Sequence, residues 1–574
     1  MHVAVLSAMP VMLPAQGLII PAGGNVIANN GNIILYSNWV NNGTFTHNGG
    51  TLIFAGSVQT LGGTSQPVFN NITIAGTSNT TITATGQMLR GILVSNDTLN
   101  ANGNLTLLST AAQTALIDGS GTGEVLGTLT MQRYVASGFG YKYFSSPFQA
   151  ATVSQFSNDI NLADSFPVFY KYDESLVSSG WVIDTASANP LIPLHGYAAN
   201  LGASSLSKTV DIAGVVSNHT VSLSPVYNHN NPYTLGFNLV GNPYPSPIDW
   251  DAATGISRTN VDNAVYYFNA GVTDRYTGTY SSYISGVSSD GVANNIIPAM
   301  QGFFVHVSNG TFPVTGSLIL NNSARINNLS PIFHWGPGDE ANQPLLRLNA
   351  GFLTARIPSD PVVVYFENKA TPAFDKEFDA LKLMNTSAEV PSLYAVSPDN
   401  ARLSINAIPF PDSITVIPLG LKTDKQGLIT FNAVNIMKMP AGLHIYLYDV
   451  QTKIYHDLEL DPMYQLSLDA GKYETRFSIV FSRNILPADT LPAVNTNNLF
   501  DAYSSGKKLF VTADIPTGQK GNMVMYNMIG QAIWKQEISG TGKYQFEPAC
   551  SSGVYILAFY TNKRVFSKKL FIGN

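Results

Sequence analysis

Between residues 16 and 130 the chain repeats one texture: a short run of Ile, Val, Leu, Thr and Phe, then an Asn/Gly turn, with almost no charge. The stretches NVIANNGNIILYSNWVNNGTFTHNGGTLIFAG, FNNITIAGTSNTTITATG and LVSNDTLNANGNLTLL carry it. The block holds one basic residue, Arg90, and three acids, Asp97, Asp118 and Glu124. Amphipathic helices need Lys, Glu and Arg on their wet face, so this composition favours strands. Asn-Gly supplies the positive φ that tight turns demand. Repeated short strands without charge predict a right-handed parallel β-solenoid, in which stacked coils bury one another's apolar faces. An irregular sandwich is the second reading.

At 574 residues the chain exceeds what one hydrophobic core serves, and several domains are expected. After the solenoid block, 131–330 alternates aromatic and polar residues, as in YKYFSSPF, PVFYKYD, VYYFNA and QGFFVHVS; period-two alternation of this kind predicts a β-sandwich with long loops. Residues 340–483 repeat strand-like runs at sandwich spacing and predict a second sandwich. The segment 484–498 reads as a linker and 499–574 as a small all-β domain. Residues 1–15, MHVAVLSAMPVMLPA, resemble the end of a truncated signal peptide; an ordinary first strand is the alternative. The fold class is therefore all-β throughout, and no apolar stretch has the length of a membrane-spanning helix.

Charge divides the chain unevenly. Residues 501–574 carry nine Lys/Arg and four acids, whereas the whole chain has 30 and 36, so the last segment is electrically distinct. A net charge of -6 argues against a nucleic-acid partner, which calls for a dense basic surface. Cys550 stands alone, which excludes an intrachain disulfide and a CxxC motif.

Candidate chemistry concentrates in FNLVGNPYPSPIDWD (237–251). Asp249 and Asp251, two apart, would share one strand face about 6.6 Å apart, near the separation of inverting glycosidase carboxylates. The prolines at 243, 245 and 247 oppose a regular central strand. Ser246-Pro247-Ile248-Asp249 instead predicts a helix cap followed by one turn ending at Gly255, with Tyr244 and Trp250 anchoring the loop. That makes the loop structural. His195, His306 and His444 sit in strand-like runs and read as satisfied or exposed strand histidines, without metal-ligand spacing. The acids of DKEFDALKLM (375–384) read as a solvated loop or short helix, and no nucleophile elbow or phosphate-binding lysine motif occurs. No catalytic residue, cofactor or metal ligand is expected.

The terminal segment 521–574 resembles the C-terminal sorting domain of type IX secretion cargo, a family of Gram-negative surface proteins. VMYNMIGQ (524–531), SGVYIL (552–557) and SKKLFI (567–572) carry the resemblance in the family's order. The Pro-Asn-Pro signature with which many members begin this domain is absent. Gly530 falls where a hairpin turn is required, Gly553 opens a strand across which Tyr555 can pack, Tyr526 ends the strand before the turn, and Lys568 and Lys569 keep a final edge strand soluble. GFNLVGNPYPSPIDWD with IIPAMQGFFVHV, FDKEFDALKLM with VPSLYAVSPDNARLSINAIP, and NWVNNGTFTHNGGTLIFAG are similar to modules of such surface proteins.

What the resemblance implies is signal-peptide export, then outer-membrane passage by type IX secretion machinery that reads 499–574, with release or attachment to surface lipopolysaccharide. The expected function is that of a secreted or outer-surface structural or adhesive protein, not an enzyme. The alternatives are a carbohydrate-binding or polysaccharide-active protein, for which GYKYF (140–144), VYYF (265–268) and Trp181 are the aromatic candidates, and an exported hydrolase, which lacks a nucleophile and base.

Overall fold

The computed structural model describes residues 3–6, 17–330, 343–353, 358–411, 413–486, 500–505, 507–513, 515, 520–527, 530–540, 542–560 and 565–573. The segment 1–15 lies outside them except for the strand Val3–Leu6, as does 484–498 beyond residue 486. The fold is nearly all β, with a solenoid of about five turns and several further sheets. Among the described residues the helical elements are two 3-10 turns, Val153–Phe156 and Asn322–Ala324.

The sandwich alternative for 16–130 is set aside by the strand pairing, which is parallel from coil to coil. On one face Leu18–Ile20, Trp39–Asn41, Val58–Gly63, Asn79–Ile82, Thr98–Asn100 and Glu124–Leu126 stack in order. Ile33–Leu35, Thr51–Phe54, Asn71–Ile74, Ile92–Ser95 and Leu116–Ile117 form a second face. Val68–Phe69, Gln87–Leu89, Leu105–Leu107 and Thr128–Val135 form a third. Leu18 pairs with Trp39, Trp39 with Leu61 and Leu61 with Ile82, so a coil takes about 21 residues. Alternate residues point inward, and Trp39, Phe45 and Phe69 meet there with ring centroids 4.7 and 5.8 Å from the indole.

The abundance of Asn has a second cause beyond turn geometry. Asn30 and Asn102 do adopt positive φ ahead of a glycine. Asn32, Asn38, Asn42 and Asn71 instead use their side-chain oxygens to accept the N–H of Thr51, Thr60, Thr64 and Ile92 in the next coil, at 2.8–3.0 Å. At corners the backbone ladder is interrupted, and the amide side chain supplies the missing acceptor. Coils lie too close for a side chain at Gly63 (φ 112°), where a Cβ would sit 2.1 Å from the carbonyl oxygen of Asn41 in the coil before.

The last coil is closed on all three faces. Lys208–Val216 pairs antiparallel with Thr128–Val135 over the whole of that strand. The side chain of Asn218 takes the place of a strand on the next face, accepting from Val125 N–H at 3.0 Å and donating to Val125 O at 2.9 Å. On the remaining face Ile117 N–H donates to Pro245 O and Thr114 N–H to Leu329 O. The boundary expected at residue 130 thus falls inside a strand that both blocks share.

The chain divides into two compact units, residues 1–347, 361–387 and 394–410 in the first and 348–360, 388–393 and 411–574 in the second, so the stretch read as a second sandwich is apportioned between them. In the first unit, Val221–Asn228, Val314–Leu320 and Ile256–Thr259 form one sheet, and Phe237–Gly241, Gly302–His306, Val265–Ala270, Gly278–Ile284 and Val287–Ser288 another. Val226, Leu318 and Leu320 from one meet Val240, Val265 and Phe303 from the other in a common core. A four-stranded sheet, Tyr141–Ser145, Gly196–Asn200, Phe169–Tyr172 and Trp181–Ile183, turns Phe144, Phe169 and Tyr197 into the solenoid core. Its other face carries Tyr141, Tyr143, Tyr170, Tyr172 and Trp181.

In the second unit Thr415–Thr423 and His444–Asp449 flank Gly471–Ser482, and Gly427–Met437 pairs with Met463–Leu468. Arg476 donates to both oxygens of buried Asp449 at 2.9 and 3.0 Å. The terminal segment is a sandwich of Phe500–Ser505, Lys508–Ala513 and Gly542–Phe546 against Ala532–Ser539, Lys520–Tyr526, Gly553–Tyr560 and Val565–Ile572. Its core is its own, with Leu509 and Val511 from one sheet against Met523, Met525, Leu557 and Phe559 from the other.

Candidate functional site

The 237–251 loop is built into the protein interior. Asn242 holds it, donating to Ser246 O, Ile297 O and Pro298 O at 2.8–3.1 Å and accepting from Tyr244 N–H at 3.0 Å. Tyr244 is fully buried, its hydroxyl donating to Leu320 O at 2.7 Å and His219 O at 3.0 Å. The helix expected after Ser246 does not form. Ile248–Asp249 is a short strand paired with Ile296–Ile297, and a turn follows at Trp250. The hydroxyl read as a helix cap is taken by Arg325, whose Nε donates to it at 2.7 Å. Arg325 also donates from Nη1 to Asn322 at 3.1 Å and from Nη2 to Ile117 O, and its guanidinium lies 5.2 Å over the Tyr244 ring.

The two aspartates have separate partners. Asp249 accepts from Asn295 Nδ2 at 2.6 Å and Asp251 N–H at 2.9 Å, while Asp251 accepts from the Tyr283 hydroxyl at 2.5 Å. Burial raises the Asp251 carboxyl above its ordinary value. These bonds give each carboxylate a structural role.

His306 is buried and satisfied, its Nδ1 2.5 Å from Asp262 Oδ2. Ser308 donates to the other oxygen of Asp262 at 2.6 Å, so the carboxylate is the central member. A hydrolytic triad needs the imidazole between hydroxyl and carboxylate, and this order does not provide it. His195 lies just before the strand Gly196–Asn200, with its pKa lowered by burial and then by Lys171. His444 lies on a strand 3.4 Å from Glu459. Among the described residues no group of three or more His, Cys, Asp or Glu is placed to hold a metal ion.

The acids of 375–384 occupy a turn leading into the strand Ala380–Leu381, and one of them is not solvated. Asp379 is fully buried, accepting from Ala407 N–H at 2.6 Å and Asp375 N–H at 2.7 Å. Burial pushes its carboxyl up to about 7, against those donors and with help from Asp375 and Asp399. The folded state therefore keeps a proton that the unfolded chain loses above about pH 4, and stability falls as pH rises from there toward 7. Asp379→Asn is expected to flatten that fall, read as the urea midpoint at several pH values; an unchanged slope would show that the group does not titrate there.

The residues carried by the sorting-domain resemblance lie as follows. Gly530 (φ 80°) occupies the turn between the strands Lys520–Tyr526 and Ala532–Ser539. Gly553 is the first residue of its strand, and the buried Tyr555 donates to Ser551 O at 2.6 Å. The Tyr526 and Tyr560 hydroxyls are 2.9 Å apart across paired strands. Lys568 and Lys569 are exposed on the outermost strand of the four-stranded sheet.

Of the aromatic candidates, Tyr266 and Tyr267 are wholly buried, and Phe268 stacks on Tyr143 at 5.0 Å. Tyr141 and Trp181 are half-buried and belong to a row that sequence did not reveal. Phe166 meets Tyr276 at 4.7 Å, Tyr276 meets Tyr141 at 6.5 Å, Tyr141 meets Tyr170 at 6.1 Å and Tyr170 meets Trp181 at 6.4 Å. Phe166 is 47% exposed and Tyr276 38%. The loop carrying Tyr276 is pinned by Asn200 Nδ2 donating to Arg275 O, and Gly140 (φ 71°) lets it approach, since a Cβ there would stand 2.9 Å from that oxygen. Arg275 lies 4.8 Å over the Tyr276 ring and donates to its hydroxyl.

No helix among the described residues is long and apolar enough to cross a membrane. A family model described as "Domain of unknown function (DUF8693)" matches residues 29–481. No curated protein matches the chain. Among solved structures, a β-glucuronidase from Ruminococcus gnavus in complex with uronic isofagomine is similar at 9% identity and a TM-score of 0.11, over 77% of this chain and 44% of that one. The BSP domain of a biofilm-associated protein is similar at 6% identity and a TM-score of 0.11, over 78% of this chain and 63% of that one. The chain thus spans less than two thirds of the length of either structure.

Proposed function

Because the chain belongs to the DUF8693 family, whose domain occupies 29–481 and stops short of the terminal sandwich, we propose that the two parts have separate tasks. Residues 29–481 form the body of an exported structural or adhesive protein. Residues 499–574 serve as its address for type IX secretion across the outer membrane, leaving the protein secreted or attached at the outer surface.

The boundary at 481 is the observation that carries this reading. It agrees with the terminal sandwich having its own core and with the excess of Lys/Arg beyond residue 500. Exposed lysines on an outer strand suit a segment that must stay soluble and be read by other proteins. A non-enzymatic body agrees with the structural roles found for Asp249, Asp251, Asp262 and His306.

The test is surface accessibility to added protease in a type IX-competent host, for the full chain and for one ending at Asn498. The full chain is expected at the surface and the shortened chain in the periplasm. If both reach the same place, the address reading is wrong. A carbohydrate-binding role is the second reading, and the row of half-exposed aromatic rings is what favours it.

A further inference from the structure

We propose that the aromatic row from Phe166 to Trp181 is a binding site for an acidic, uronate-containing polysaccharide. The inference rests on the carbohydrate-binding reading, on the row and on Arg275 beside it, and holds whether or not the terminal segment directs export.

Five rings follow one another at centroid spacings of 4.7, 6.5, 6.1 and 6.4 Å, from exposed Phe166 and Tyr276 through half-buried Tyr141 and Tyr170 to Trp181. They come from four separate segments, neighbouring rings are inclined to one another by 54–76°, and their centroid spacing is of the order of one sugar residue. An aromatic face is the negative pole of the ring quadrupole, and it attracts the weakly positive C–H groups on the flat side of a pyranose. Three of the five rings are tyrosines, whose polar tips suit a hydrated ligand better than a lipid or an apolar peptide.

Arg275 selects among glycans. Its guanidinium is held over Tyr276 and bonded to that residue's hydroxyl, and it makes no ion pair with a carboxylate among the described residues. A planar guanidinium fixed by stacking is set to take a carboxylate through two parallel N–H bonds. A uronic acid offers that carboxylate beside a stackable ring face, which a neutral hexose does not. The row is packed from beneath: Gly140 and Asn200 seat the Arg275 loop, and Tyr143 and Phe304 pack behind Trp181 at 5.6 and 6.0 Å.

The experiment is affinity electrophoresis of the full chain through gels containing polygalacturonate or hydroxyethyl cellulose, without calcium, with sedimentation velocity in parallel. Retardation by polygalacturonate, at least tenfold stronger than by the neutral glucan, is expected. Tyr276→Ala and Phe166→Ala should each weaken it about tenfold with an unchanged thermal midpoint, since both side chains are substantially exposed. Arg275→Gln should remove the preference for the acidic polymer while leaving weak retention by both. Absence of retardation in the wild type, or full retention in both ring variants, overturns the proposal. Equal affinity for the two polymers, untouched by Arg275→Gln, overturns it as well. A wild-type dimer that Phe166→Ala dissociates would show the row covered by a second copy, and that too overturns the proposal.

Discussion

Trp250→Ala is expected to lower stability by about 3–5 kcal/mol, the range for removing a large aromatic from a packed core. The indole is 1% exposed and meets Phe303 edge-on at 5.4 Å. Its Nε1 donates to Asn263 O at 2.6 Å, so truncation leaves a cavity and a carbonyl without that donor. The guanidinium of Arg258 lies 4.1 Å over the ring, and burial already lowers its pKa to about 10. Without the indole this cation loses a stabilising face in a site where charge is costly. Trp250→Phe keeps the face and loses the hydrogen bond, so it should recover about half of the deficit. Urea unfolding measures both, and a loss under about 1 kcal/mol for the alanine variant would show that the loop is not anchored through this ring.

Arg325→Ala is the second large expectation, about 2–4 kcal/mol, because one side chain joins the closing face of the solenoid to the loop at Ser246. It donates to Ser246, Asn322 and Ile117 and covers the ring of Tyr244. Removal strips the last coil of a backbone partner at Ile117, and an exposed strand edge invites pairing between molecules. The variant should therefore both unfold at lower urea and self-associate on size exclusion. Arg325→Lys should rescue little, since an ammonium cannot reproduce the three-way fork. A monomeric variant of unchanged midpoint would mean that Pro245 and Leu329 close the coil without it.

Sequence carried the architecture better than the contacts. The solenoid was legible because its signal is local and repeated, one apolar run and one turn at a time. The same is true of the hairpin at Gly530 and the strand beginning at Gly553. The turn after Ser246 was misread because its local cue is sound, but a guanidinium from Arg325, which no local pattern contains, claims the hydroxyl. Asp379 looked solvated in a charged run, and only the return of the strand Arg402–Ile408 buries it against Ala407. Phe166 and Tyr276 sit in loops without periodicity, so nothing in their neighbours marked them, and the row arises only when four segments fold together.

The side chain of Asn218 stands where another strand would lie, and it reads nothing of the coil beneath except the backbone of one residue, Val125. Such a terminus is indifferent to how many coils precede it. A lineage could therefore gain or lose whole coils and keep the same ending, changing reach in fixed increments as one adds links to a chain while the clasp stays the same.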